Sequence, residues 1–233
     1  SPTRDPTLAP GYVHIASGGQ VDYPNGYYVA GAHTIEMRLR WISQTGFAFS
    51  MYSSGSEGMS IYIQSGQVTY YRCSNTCTTL GYPATANVWY HFAFSYSPGV
   101  SWIVYRDGSF ATNAGAQTQY GPFNISQTTT MLGDGTIVLD IADVRVWNYA
   151  RSGAEVASMW NTSATGSETG LILNFRADQC GGTTLIDSSP RARNGTLVSP
   201  AAFVCPTAAP SATSPPPTSR PSPPSRTRTS IRR

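Results

Sequence analysis

The sequence predicts an all-β protein, two antiparallel sheets packed face to face with one short helix near 153–160. Three observations carry that prediction. Ile35-Glu36-Met37-Arg38-Leu39-Arg40-Trp41 alternates apolar and charged side chains without a break, the period-two signature of a half-buried strand. Similar short runs recur at 47–53, 59–64, 68–72, 101–106, 139–147 and 171–175, separated by Gly, Ser and Asn turns. The composition matches, with 14 Tyr, 22 Gly and only 12% charged residues.

The elements follow in order. Residues 1–10 hold three Pro and read as an irregular lead-in. The stretch Trp89-Tyr90-His91-Phe92-Ala93-Phe94-Ser95-Tyr96 is apolar or aromatic on both faces, so it reads as a central strand or one covered on both sides. Asp107-Gly108 is a tight hairpin signal of type I′. Ser152-Gly153-Ala154-Glu155 is a capping box, and Val156, Met159 and Trp160 then share one helical face; a helix this short is expected to cover the sandwich edge. Strand character ends near Cys205. Residues 206–233 hold eight Pro, among them Pro215-Pro216-Pro217; this tail buries too little to order itself and favours extended polyproline II. It reads as a disordered spacer or stalk suited to O-glycosylation, and 11–205 as the folded unit.

Charge and cysteine usage narrow the setting. All 15 basic residues are Arg, and five of them (Arg220, Arg226, Arg228, Arg232, Arg233) lie in the tail. The remainder is slightly acidic and offers no footprint for nucleic acid. No stretch of 18 or more apolar residues exists, so no membrane insertion is expected. The four cysteines, Cys73, Cys77, Cys180 and Cys205, suggest two disulfides in an oxidising compartment. A zinc reading of Cys73 and Cys77 lacks a second close pair and a nearby His. A Cys180–Cys205 bridge is worth about 3.5 kcal/mol by chain entropy and ties the last strand to the body. Sequons at Asn124, Asn161 and Asn194 point to the same extracellular or cell-surface location. The chain opens on Ser1 and shows no signal peptide, which reads as a processed or excised fragment.

Catalytic chemistry is hard to find. Glycosidases use two carboxylates flanking the bond, yet none of Glu36, Glu57, Glu155 and Glu168 has an acidic neighbour two or four positions away. Asp140 and Asp143 are three apart, which places them on opposite strand faces. There is no Gly-x-Ser-x-Gly elbow, no phosphate loop, and no metal-ligand spacing among His14, His33 and His91. The doublets Tyr27-Tyr28 and Tyr70-Tyr71 each send one ring to either face of a strand; one ring of each is expected in the core, the other as a stacking platform for a ligand.

Five segments carry a family resemblance. They are Thr34 to Trp41, Val88 to Ser95, Trp102-Ile-Val-Tyr-Arg-Asp-Gly108, Leu132-Gly133 with Ile141 to Trp147, and Asp187-Ser-Ser-Pro to Asn194-Gly-Thr-Leu197. Their order resembles the laminin-G-like jelly rolls, similar to pentraxins within the concanavalin A-like lectin and glucanase superfamily. Pro190 stands where the family motif usually has Gly. The resemblance implies a jelly-roll sandwich that binds or adheres without catalysis, recognising glycans or glycoproteins. The alternative is a structural interaction module of a wall or adhesion protein, and a glycosidase is the third reading. Family members often bind calcium, which takes six to eight oxygens. One structural Ca2+ is therefore the cofactor to look for, with Asp134 and Asp140 as its first candidate ligands.

Overall fold

The computed structural model describes residues 11–24, 27–29, 31–52, 58–74, 76–115, 123–125 and 131–205. The lead-in and the Pro-rich tail lie outside them. The strands are β1 (Tyr12–Ile15), β2 (Gln20–Asp22), β3 (Tyr27–Val29), β4 (His33–Ser43), β5 (Gly46–Tyr52) and β6 (Gly58–Gln64). There follow β7 (Gln67–Ser74), β8 (Thr76–Pro83), β9 (Trp89–Ser97), β10 (Ser101–Arg106), β11 (Ser109–Asn113) and β12 (Phe123–Ile125). Then come β13 (Met131–Leu132), β14 (Val138–Trp147), helix α1 (Gly153–Met159), β15 (Leu171–Arg176), β16 (Thr184–Leu185), β17 (Gly195–Val198) and β18 (Ala202–Val204).

Two antiparallel sheets form the sandwich. The first runs β11-β10-β9-β4-β14-β1-β18, with β15 beside the far half of β14; the second runs β16-β17-β2-β13-β5-β6-β7-β8. A separate pair joins β3 to β12. The alternation read from the sequence sorts the sides of β4. Ile35, Met37 and Leu39 enter the shared core, opposite Phe94, Phe92 and Tyr90 of β9. Phe49, Ile61, Ile63, Val68 and Tyr70 close the core from the second sheet.

One predicted alternation fails. β14 changes register between Ile141 and Asp143, so Leu139 and Ile141 point inward, and then Val144 and Val146. The extra residue of a β-bulge brings the inward face back one residue late. Asp140 and Asp143 thus both leave the core on the outer face, where the spacing had put them on opposite sides. Other strands carried too little pattern to be seen. β8 reads Thr-Cys-Thr-Thr-Leu-Gly-Tyr-Pro; it is an edge strand, where Pro is tolerated and no second partner enforces alternation.

The helix is capped as expected. The Ser152 side chain accepts the Glu155 amide, and Glu155 accepts from the Ser152 amide. Its seat differs slightly from the expectation: Val156 packs on Ala93, Tyr105 and Ile103, so α1 lies on the outer face of the first sheet rather than along its rim. That explains why β9 is apolar on both faces. Cys180 and Cys205 form a disulfide with Cα atoms 5.3 Å apart, just beyond β18. The Asp187 to Leu197 motif is a self-bonded knot. Asp187 Oδ1 accepts the Asn174 and Ser189 amides, Oδ2 accepts the Arg193 amide, and Asn194 Oδ1 accepts the Asp187 amide.

Candidate functional site

The outer face of the first sheet presents Thr34, Glu36, Arg38 and Arg40 from β4, His91, Ala93 and Ser95 from β9, and Asp140, Asp143 and Arg145 from β14. Much of it is roofed by α1 and the loop beyond. At its centre Glu36 is buried among Arg145 Nη1 at 3.5 Å, His91 Nε2 at 3.4 Å and Arg151 Nη1. Burial pushes the Glu36 carboxyl up; the His91 hydrogen bond and the charges of His91, Arg145 and Arg151 outweigh it and hold it at about 2. The same arginines grip the roof. Arg145 donates to the Met159 and Thr162 carbonyls, and Arg151 to the Glu155 carbonyl. The ion cluster therefore fixes where the chain leaves α1, and so where Trp160 and Asn161 stand.

A pocket of about 210 Å³ opens beside that exit, lined by Arg38, Trp89, Tyr90, His91, Asp107, Trp160 and Asn161. Each wall has a local cause. Asp107 and Gly108 adopt positive φ of 49° and 76° in the β10–β11 turn, as a type I′ turn requires. Asp107 Oδ1 accepts the His91 amide at 3.0 Å, which locks the turn to β9. Trp160 lies over Gly108, where an added Cβ would sit 2.3 Å from its ring. Trp89 is held by cation–π contacts from Arg38 at 5.8 Å and Arg40 at 5.3 Å, and by the edge of Tyr12. His91 is only 4% exposed, and among the described residues its Nδ1 has no hydrogen-bond partner. Its Nε2 lies 3.4 Å from the Glu36 carboxylate, and the residue forms part of the pocket wall. A buried polar atom without a partner is costly.

The residues singled out in the sequence lie elsewhere. The Tyr27 and Tyr28 side chains fall outside the described residues, as do those of Asn124, Cys73 and Cys77; the backbone sets Cys73 opposite Cys77 across the β7–β8 hairpin. Tyr70 is fully buried between His33, Phe94 and Trp102, which removes it as a ligand contact: alternation sends it inward and Tyr71 outward. Tyr71 is half-buried on the outer face of the second sheet, next in a row to Tyr62 and Phe47. It borders a shallow trough of about 330 Å³ lined by Gln64, Ser65, Gln67, Thr69, Thr79 and Gly81.

The two metal candidates are engaged by protein donors. Asp134 Oδ1 accepts the Thr136 hydroxyl and the Thr136 and Ile137 amides, and Oδ2 accepts the Phe47 amide. Burial raises its carboxyl, and these bonds more than reverse that and hold it below the usual range. Asp140 is wholly buried between His14 Nδ1 at 2.7 Å and the Arg40 guanidinium. Among the described residues no three His, Cys, Asp or Glu side chains converge as a metal group would need, and Asp107 is the one carboxylate lining the pocket.

The pocket residues went unseen in the sequence. Their signal was the doubly apolar β9 together with Trp160 at the C-terminal cap of a short helix. Only the fold shows that the two belong together.

A family profile described as the concanavalin A-like lectin/glucanases superfamily, of laminin-G type, matches residues 16–157, more than half of the chain. The chain belongs to this superfamily. No curated protein matches it. Among solved structures, this superfamily member is similar to a candidate carbohydrate binding protein from Bacteroides ovatus. The two share 17% identity and a TM-score of 0.65, over 84% of this chain and 60% of that one. The chain thus spans less than two thirds of that protein. It is also similar to a heptameric SAP-like pentraxin from Limulus polyphemus, with 14% identity and a TM-score of 0.52, over 66% of this chain and 82% of that one. At these identities the likeness shows the jelly-roll fold alone. Among the described residues, no helix is long and apolar enough to cross a membrane.

Proposed function

We propose that this chain is a saccharide-binding module outside the cell, and that the Trp89–Trp160 pocket holds one sugar ring. The observation that carries the reading is a pocket walled by two indoles, Trp89 and Trp160, and edged by the polar side chains of Arg38, His91, Asp107 and Asn161. A pyranose offers apolar C–H faces to indoles and hydroxyls to polar atoms. Asp107 accepts from those hydroxyls; Arg38 and Asn161 donate to them. The volume falls below the ~300–1,000 Å³ of drug-sized sites, which suits a single ring or a chain end. The superfamily's many lectins and the likeness to a candidate carbohydrate binding protein agree with this, although fold alone does not assign function. The Cys180–Cys205 bridge and the sequons agree with an oxidising, extracellular setting. The module binds and does not hydrolyse, because one lining carboxylate cannot supply both an acid and a base or nucleophile.

The test is a screen of the full chain, made in a host without N-glycosylation, against an array of neutral saccharides, followed by calorimetry on the best sugar. Trp160→Ala is expected to weaken binding about tenfold, equivalent to ~1.4 kcal/mol, while Tyr71→Ala leaves it unchanged. Loss in Tyr71→Ala with none in Trp160→Ala moves the site to the trough on the second sheet. No response to any sugar ends the reading in favour of a structural interaction module.

A further inference from the structure

Asn161 has two identities. It lines the pocket, and it begins the sequon Asn161-Thr162-Ser163. Its amide makes no hydrogen bond among the described residues, and Ser163, the hydroxyl residue of the sequon, is exposed. Asn194 differs: its Oδ1 is committed to the Asp187 amide within the knot. Thr162 is tied to the Met159 carbonyl through both its amide and its hydroxyl, and Arg145 holds the Thr162 carbonyl. The Asn161 turn is therefore fixed against the pocket mouth and cannot swing a substituent away from it.

We infer that a glycan carried on Asn161 closes the Trp89–Trp160 pocket, so that modification of this one amide decides whether the site is open. The inference takes its ligand class from the saccharide reading above, but the closure itself is steric. In the modification, Asn161 Nδ2 attacks C1 of a saccharide activated as a lipid-linked diphosphate ester. The N–C1 bond forms, the C1–O bond to the diphosphate breaks, the amide proton passes to a base of the transferring enzyme, and the lipid diphosphate departs. The product puts a bulky, solvated chain on a residue that lines a space of only about 210 Å³.

The experiment compares the full chain from a glycosylating host, the same protein after enzymatic removal of its N-glycans, and Ser163→Ala from that host, which removes the sequon at an exposed residue outside the pocket lining. Peptide mass spectrometry reads occupancy at Asn161, and N-bromosuccinimide oxidation of Trp160 reads access to the pocket without any ligand. Glycan on Asn161 is expected to slow Trp160 oxidation several-fold. Enzymatic removal and Ser163→Ala should both restore the faster rate. A sugar found on the array should bind the open forms and not the closed one. An unmodified Asn161 beside a glycosylated Asn194, or equal oxidation rates with and without the Asn161 glycan, overturns the inference. Slowed oxidation in a chain that binds no sugar in any form supports closure and sinks only the saccharide reading.

Discussion

Acid should destabilise this fold through a histidine that has nothing to do with the pocket. His33 lies wholly inside the sandwich, with Nδ1 2.7 Å from the Gly31 carbonyl and Nε2 against the Tyr70 hydroxyl. The bonds fit one neutral tautomer, in which Nδ1–H donates to Gly31 and the Tyr70 O–H donates to Nε2. A second proton forces the Tyr70 hydroxyl off Nε2 and adds a cation next to the buried Arg72, whose Nη1 is 3.5 Å from Nδ1 and which stacks on Tyr96. Burial first, and Arg72 second, lower the His33 pKa from 6.5 to about 3, against a smaller opposing pull from the Gly31 carbonyl. The sign follows from proton counts. Between about 3 and 6.5 the unfolded chain binds the proton and the folded one does not, so stability is full above 6.5 and falls as pH drops through this window. One pKa unit is worth ~1.36 kcal/mol, so at pH 5 the loss is about 2 kcal/mol. Urea unfolding at pH 7.5, 6 and 5 measures it, with His33→Gln as the control whose stability should fall by less over that range. A wild-type midpoint that stays flat from 7.5 to 5, or a fall of equal size in His33→Gln, refutes the tautomer argument.

Two further perturbations separate the foundation of the pocket from its walls. Glu36→Gln should cost about 3 kcal/mol at pH 7, since its carboxyl drops from 4.5 to about 2 on folding; this contribution is present above 4.5 and disappears as pH falls to 2, so urea midpoints of wild type and variant should converge across that window, while the His33 contribution, common to both proteins, cancels in the comparison. Gly108→Ala puts a methyl on a backbone at φ of +76° and 2.3 Å from the Trp160 ring; it should raise Trp160 fluorescence quenching by acrylamide and weaken sugar binding about as much as Trp160→Ala does.

The fold was legible where one physical constraint acts alone. Alternation along 35–41 needs only one apolar and one polar face, and Ser152 with Glu155 needs only an uncapped helix end. Legibility failed where two constraints meet. The bulge at Ala142 is invisible in a sequence because Ile141-Ala142-Asp143-Val144 satisfies either phase until β4 fixes the register. Asp134 and Asp140 have the residue type that a cation needs, but donors brought from 87 and 100 positions away occupy their oxygens. The pocket is the extreme case. Its walls come from β4, β9, the β10–β11 turn and the exit of α1, and no segment holds more than three adjacent lining residues.

Buried ion pairs seldom add net stability, because desolvation cancels much of the attraction. An apolar cluster could seat α1 on β9 and β14 equally well. What it could not do is orient an imidazole. Glu36 lies against His91 Nε2 and so sets the plane of that ring in one wall, while Arg145 holds the Met159 and Thr162 carbonyls and so sets Trp160 and Asn161 in the other. One buried carboxylate with its cations thus positions both walls. If the charge were present only for stability, Glu36→Gln would lose free energy of folding and keep its sugar affinity. If it aligns the site, affinity falls even at temperatures where the variant is fully folded.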